Sequence, residues 1–372
     1  MKLLKMAGLI IGSVVALLIL ATVLVLNLAP QFGKTYSKEQ QKTFEELSNF
    51  EDGKFKNISY TSMDLEFSKV IKETFKKDPS RRPSSDILPN SLDSLEIVQR
   101  SGNGTYISWL GHSAFLLEID GKKILIDPML GDVPAPFSFA GPSRYSSELA
   151  IEIEKLPEID ILIISHDHYD HLDHGSILKL KDKVELFLVP LGVGRHLEYW
   201  GVQKNKIHEM NWWDQKEVAG IELVFTPARH FSGRGILDRN KTLWGSWVIN
   251  GKNQKIYFSG DGGYDTHFKE IGEKYGPFDL ALMECGQYNE QWGEIHMMPE
   301  ETAIAAKDVR SQVFMPIHWG SFTLAYHSWT DPVVRASRKA QEIGIQITTP
   351  FLGETIHLES GSYPQKNWWE DY

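Results

Sequence analysis

The sequence holds one cysteine, Cys285, in 372 residues. That excludes an intramolecular disulfide and any Cys-x-x-Cys zinc knuckle. It also leaves no N-terminal cysteine for lipidation. Positive charge is scarce too: the formal net charge is −10. A chain of that sign is not expected to grip nucleic-acid phosphates. No low-complexity tract or internal repeat is present. Gly192-Val193-Gly194 lacks the third glycine of a dinucleotide fingerprint and reads as a turn.

Residues 7–26 hold no charge at all, after Lys2 and Lys5. That run is long enough to cross a hydrocarbon core as a helix. Two readings stand: an uncleaved anchor or a cleaved signal peptide. A signal peptide has an apolar core of about 7–15 residues, and here Pro30 follows the only small-residue cleavage site, Ala29. Both points favour a transmembrane anchor over 1–29. The positive-inside rule then puts Lys2 and Lys5 in the cytoplasm and the rest on the extracytoplasmic side. Cleavage would instead give a secreted or periplasmic protein. Residues 30–103 read as a polar linker and N-terminal extension, with a helix over Thr35–Phe50. Residues 104–372 read as the catalytic domain.

That domain is organised around Ser165-His166-Asp167-His168-Tyr169-Asp170-His171. The preceding Ile159–Ile164 is a short β-branched run and reads as a buried strand. Imidazoles and carboxylates are thereby delivered at a strand end, and these are the ligands that zinc and similar divalent metals accept. His166 and His168 can chelate one metal from a tight turn; Asp170 and His171 can reach a second. His-x-His-x-Asp-His after a strand resembles the metallo-β-lactamase superfamily. The resemblance implies an α/β fold, a four-layer αββα sandwich, usually with two metals.

Other candidates also follow predicted strands. His230 follows Ile221–Thr226 and is expected as the third ligand of the first metal. Asp261 sits in the glycine-rich turn 260–263, where its two oxygens can bridge two ions. His318 follows Val313–Pro316. A sheet of this class places its site at such strand ends. His112, in Trp109-Leu110-Gly111-His112, is open between a hydrogen-bonded structural histidine and one that supports the metal ligands or faces the substrate. Asp127 reads as a turn or supporting carboxylate, and Asp167 and Asp173 as carboxylates that orient ligand imidazoles or lie on the surface. The loop 286–298 carries Tyr288, Trp292 and His296. The Pro/Gly/Phe-rich loop 134–145 reads as a lid, an apolar contact surface or a plain loop. Helices are expected over 175–181, 194–200, 266–275 and 331–342, with another starting at Pro299.

Several longer stretches carry a narrower resemblance: Trp109–His112, His166–Asp173, Phe225–His230, Leu243–Trp247, Gly260–Tyr264, Gly276–Leu280, His296 with Pro299-Glu300-Glu301, and Ile317–Gly320. In that order they are similar to the phospholipase D family that hydrolyses N-acylphosphatidylethanolamine. The likeness implies one zinc on His166, His168 and His230. It implies a second on Asp170, His171 and His318, with Asp261 bridging and His296 near the substrate. His112, Tyr288 and Trp292 are further substrate-side expectations, and the implied partner is a phospholipid at a membrane surface. Three features depart from the mammalian pattern: Phe231–Arg234, the carboxylate Glu284, and the N-terminal apolar segment. Two alternatives stand beside this reading. One is a lactonase or esterase on the same dinuclear site; the other is a membrane-tethered, non-enzymatic metal-binding protein.

Overall fold

The computed structural model describes residues 2–86, 88–89 and 104–372; residues 87 and 90–103 of the linker and extension predicted over 30–103 lie outside them. The chain opens with α1 (Lys2–Leu28), a 27-residue helix. It is long and apolar enough to cross a membrane, and none of its apolar window is buried against the protein.

The extension behind α1 is folded onto the domain. The helix expected over Thr35–Phe50 is shorter, α2 (Lys38–Phe44). It starts at a capping box in which Ser37 and Gln40 exchange hydrogen bonds. It stops because the chain enters a hairpin, β1 (Phe50–Glu51) with β2 (Lys54–Phe55). Phe44, Phe50 and Phe55 are buried edge-on against one another at the margin of the central core. A further helix, α3 (Phe67–Phe75), lies on the surface.

Two seven-stranded sheets follow. The first holds β3 (Tyr106–Gly111), β4 (Ala114–Ile119), β5 (Lys122–Ile126), β6 (Ile159–Ile163), β7 (Val184–Pro190) and β8 (Ile207–Met210). The second holds β9 (Gln215–Val218), β10 (Ile221–Thr226), β11 (Ser246–Asn250), β12 (Lys255–Phe258), β13 (Phe278–Glu284), β14 (Ser311–Ile317) and β15 (Gln346–Ile347). The closing strand β16 (Thr355–His357) crosses back to pair with β3. The predicted closing strands over 345–358 are therefore split between sheets.

The sequence of β6 shows why the layers stack. Ile161 and Ile163 point into the core between the sheets. Leu162 and Ile164 point into a second core, beneath the helices α4 (His174–Leu180) and α5 (Gly194–Tyr199), where Ile159 at the strand start also packs. Successive side chains alternate faces, so the stretch 161–164, buried on both, is apolar throughout, while half-buried Asp160 at the strand start pairs with Lys122. β10 repeats this: Leu223 and Phe225 face the other sheet, and Val224 faces an outer core under α6 (His267–Lys274), α7 (Pro299–Asp308) and α8 (Asp331–Ile343). Each fully buried Ile or Leu contributes about 1.5–3 kcal/mol. The result is helix, sheet, sheet, helix. The C-terminal ends of β5, β6, β10, β12, β13 and β14 all reach one edge of the sandwich.

Candidate metal centre

That edge gathers the sequence-predicted ligands. His166 and His168 leave β6, and His230 follows β10. His168 Nδ1 lies 2.9 Å from His166 Nε2 and 3.2 Å from His230 Nε2. A second group holds His112, Asp170, His171 and His318. Asp261, just past β12, reaches both groups. Its Oδ2 is 3.1 Å from His171 Nε2, 3.8 Å from His166 Nε2 and 4.0 Å from His230 Nε2. Its Oδ1 is 3.2 Å from His318 Nδ1.

The turn before Asp261 has to be glycine. Gly260 has φ +58°, and a Cβ there would meet the Gly245 carbonyl at 2.5 Å. Gly286 is similarly confined: a Cβ would fall 1.9 Å from the His318 carbonyl oxygen. Two backbones thus close in on the donors where a side chain would block them.

Ring nitrogens of His166, His168 and His230 face one another at hydrogen-bond distance. His230 Nδ1 donates to the Ile295 carbonyl at 2.8 Å, which leaves a lone pair on Nε2 aimed at His168. Asp261 Oδ1 and His112 Nδ1 are buried without a hydrogen bond. An unpaired buried polar atom is costly. A cation satisfies the lone pairs of Asp261, His168 and His230 together; a single proton cannot. Burial, then the crowding of neighbouring histidines, holds His166 and His230 well below the usual histidine range, so both are neutral donors. Burial also opposes charge on His171, but Asp261 and Asp170 overcome it and raise its pKa well above normal. The carboxylates therefore draw positive charge to this spot, and the donor set fits divalent metals.

A supporting layer orients the rings. Asp127 accepts from His171 Nδ1 at 2.7 Å and from the Ser165 N–H at 2.7 Å. It is thus a supporting carboxylate. His112 resolves toward the donor group, with Nε2 3.0 Å from Asp170 Oδ2. Glu284 is fully buried at the end of β13, where Oε1 accepts from His296 Nδ1 at 2.9 Å and Oε2 from the Met297 N–H at 3.0 Å. Burial pushes Glu284 up to about 7. Burial lowers His296, but the Glu284 contact more than offsets this and its pKa is raised. From the extension, the Asn57 side chain donates to the His230 carbonyl at 2.8 Å and accepts from its N–H at 3.1 Å.

Some expected neighbours are elsewhere. Asp167 does not orient a ligand imidazole. It accepts from the Gly233 N–H at 2.8 Å and the Thr242 hydroxyl at 2.8 Å, and faces His196. Side chains alternate direction along this tight segment, so Asp167 points away from His166 and His168. Asp173 caps α4 by accepting from the Ser176 N–H at 2.7 Å. The Tyr288 hydroxyl bonds Asp331 and its ring stacks on His327, in an outer cleft shared with Tyr326 and Arg335. Trp292 Nε1 donates to the Gln287 carbonyl at 2.9 Å, and its ring packs near Tyr326. Neither residue meets the metal donors. Asn57, Ser165 and Glu284 are contributors that sequence reasoning left unassigned; Ser165 lies inside the histidine motif and Glu284 stood out only as a departure from the family pattern, while Asn57 carried no signal.

A four-layer sandwich with histidine and aspartate donors converging at its strand ends defines a metal-dependent hydrolase. The chain belongs to the metallo-β-lactamase superfamily: residues 122–319 match the family model described as the beta-lactamase superfamily domain. An uncharacterised protein of Mycobacterium tuberculosis (strain ATCC 25618 / H37Rv) is 40% identical over 333 residues, covering 87% of this chain and 88% of its own. N-acyl-phosphatidylethanolamine-hydrolyzing phospholipase D 1 of Caenorhabditis elegans is 37% identical over 275 residues, covering 69% of this chain and 76% of its own. A solved metallo hydrolase from the archaeon Ignicoccus hospitalis KIN4/I shares the fold, with a TM-score of 0.51 and 23% identity over 68% of this chain and 97% of that one.

Proposed function

We propose that this hydrolase is a membrane-anchored phosphodiesterase of the phospholipase D type. Its substrate in this reading is N-acylphosphatidylethanolamine, and its products are N-acylethanolamine and phosphatidic acid. One zinc would be held by His166, His168 and His230, and a second by Asp170, His171 and His318, with Asp261 shared. The observation that carries the reading is Asp261, whose carboxylate lies within 4.0 Å of nitrogens from both donor groups. A paired site suits a phosphodiester because charge develops at both the attacking and the leaving oxygen. The named Caenorhabditis elegans relative supports the choice of lipid.

Two divalent ions there would offset charge on the phosphoryl oxygens and supply a strong nucleophile at neutral pH. The protein's own groups supply the rest. Asp127 and the Ile295 carbonyl fix the tautomers of His171 and His230, so each presents Nε2 to the site. His112 orients Asp170. Ionised Glu284 accepts the Nδ1 proton of His296, so a protonated His296 carries its second proton on Nε2. That proton is the one offered to the leaving oxygen.

Hydrolysis in oxygen-18 water tests the reaction. The heavy oxygen is expected in phosphatidic acid and absent from N-acylethanolamine, because the P–O bond to the ethanolamide breaks. Label in a freed fatty acid would mean attack at a carbonyl and would replace this reading with the esterase or lactonase one. Removal of residues 1–29 is expected to move the protein from the membrane to the soluble fraction, with activity on detergent-dispersed substrate retained.

A further inference from the structure

Apolar side chains that normally seek burial are exposed along the ligand-bearing edge, in two separate places. On α3, Phe67, Ile71 and Phe75 recur at i, i+4 and i+8 and are 78%, 55% and 81% exposed. That spacing puts them on one helical face. Exposed Lys72 borders the stripe, and exposed Lys76 and Lys77 follow the helix. Lys69 and Lys76 pair with Glu66, Glu73 and Asp78 and Arg81 is buried, so the cationic border of the stripe is carried by Lys72 and Lys77, in a chain whose net charge is −10. The helix is tied to the loop that carries His296: the Glu66 N–H donates to Gln291 Oε1 at 2.8 Å and the Asp64 N–H to the Gln291 carbonyl at 2.9 Å.

The second place adjoins the end of α1. The Pro30 carbonyl accepts from Trp200 Nε1 at 2.7 Å, and the Gln31 carbonyl from Arg234 Nε at 2.9 Å. Arg234 also donates to the carbonyls of Asp167 and Leu172 in the metal-binding segment. The apolar helix is therefore pinned to the domain beside the metal centre. Next to that point, Ile236 and Leu237 are 70% and 89% exposed. Phe32 packs on Phe137, which stacks on exposed Phe139.

The geometry points to a lipid bilayer as the one occupant of both patches. The ligand-bearing edge lies against the membrane, with Phe139, Ile236 and Leu237 entering it beside α1. On the other flank, α3 lies in the interface with its lysines toward anionic headgroups. Three features select a bilayer over a protein partner: one patch adjoins the end of a helix of membrane-spanning length, the two patches are separate rather than one contiguous face, and the apolar stripe on α3 is bordered by lysines in an acidic chain. A substrate would then enter the site from the bilayer without crossing water. The inference rests on the anchoring role of α1 proposed above.

The test uses the full chain in vesicles of phosphatidylcholine and phosphatidylglycerol that carry lipid-chain nitroxide quenchers. Cys285 is fully buried, so single exposed cysteines can be labelled selectively with a polarity-sensitive fluorophore. The positions are Leu18→Cys in α1, Ile71→Cys, Leu237→Cys, and Asn253→Cys at the turn between β11 and β12 on the far edge. Quenching at 71 and 237 is expected to be about threefold or more above that at 253, as for side chains at the depth of the acyl boundary. Replacing phosphatidylglycerol by phosphatidylcholine is expected to reduce the signal at 71; an unchanged signal would overturn the role of the lysines. Quenching at 18 with 71 and 237 no different from 253 would overturn the docking. Absence of quenching at 18 would overturn the anchor itself.

Discussion

At the edge away from the ligands, Asp120, Ala219 and Arg310 hold positive φ angles of 52°, 53° and 63°. At the ligand edge, His112, Asp127 and His318 hold 53°, 38° and 67°. The left-handed conformation costs a non-glycine residue roughly 1–2 kcal/mol. At the far edge it turns the chain between strands, as in Asp120-Gly121 and Ala219-Gly220, and the side chains stay outside the core. At the ligand edge it occurs one residue after β3, β5 and β14 and swings a functional side chain inward. The same backbone device serves connection at one end and aim at the other. The strain is replaceable at the first and bound to side-chain identity at the second.

The largest effect that would break this contrast is loss of a ligand. His168→Ala is expected to lose the first metal and nearly all activity, against about two ions per chain in the parent protein. Full activity with an undiminished metal content would remove His168 from the donor set. His296→Ala is expected to keep both ions while kcat falls by about 10²–10⁴, the usual share of a positioned acid or base. Equal loss of metal and turnover would make His296 structural.

Glu284→Gln should cost less, about 10–100-fold, because it acts through His296. Its signature is a shifted pH profile. Glu284 raises the His296 pKa, and activity that needs the protonated ring is lost as pH rises through that value. The alkaline limb is therefore expected to move to lower pH in the variant. An unmoved limb would mean that Glu284 only packs. The smallest effect lies at the far edge. Ala219→Gly is expected to stabilise by up to about 1 kcal/mol, since glycine accepts positive φ without penalty. Thermal unfolding would read this, with metal content unchanged; a loss of metal would erase the distinction between the edges.

The histidine motif was legible because its donors lie within six residues and follow a β-branched run that can only be a buried strand. His230, Asp261 and His318 were legible by the same rule, each just past a strand. His112 was not decided, since its partner Asp170 is 58 positions away and nothing local separates a ligand-side histidine from a structural one. Glu284 was noticed only as a departure, because its value depends on a loop that folds back over it. Asp167 and Asp173 were open between orienting imidazoles and lying on the surface, and side-chain direction sends them to a neighbouring loop and a helix cap. The N-terminal extension looked inert because Asn57 is an ordinary polar residue until His230 arrives beside it.

That last pairing fixes an order of events during synthesis. Asn57 and His230 are 173 positions apart, and the His112 N–H waits for the Ser321 hydroxyl across 209. Contacts this distant close late, after loop entropy has been overcome. A ribosome adding roughly 5–20 residues each second releases the apolar helix α1 well before the last candidate donor, His318, exists. In the anchored reading proposed above, the maturing chain would be tethered first and able to complete its donor set last. Metal uptake followed on stalled nascent chains is expected to be complete only when arrest lies far enough beyond His318 for that residue to clear the ribosomal tunnel.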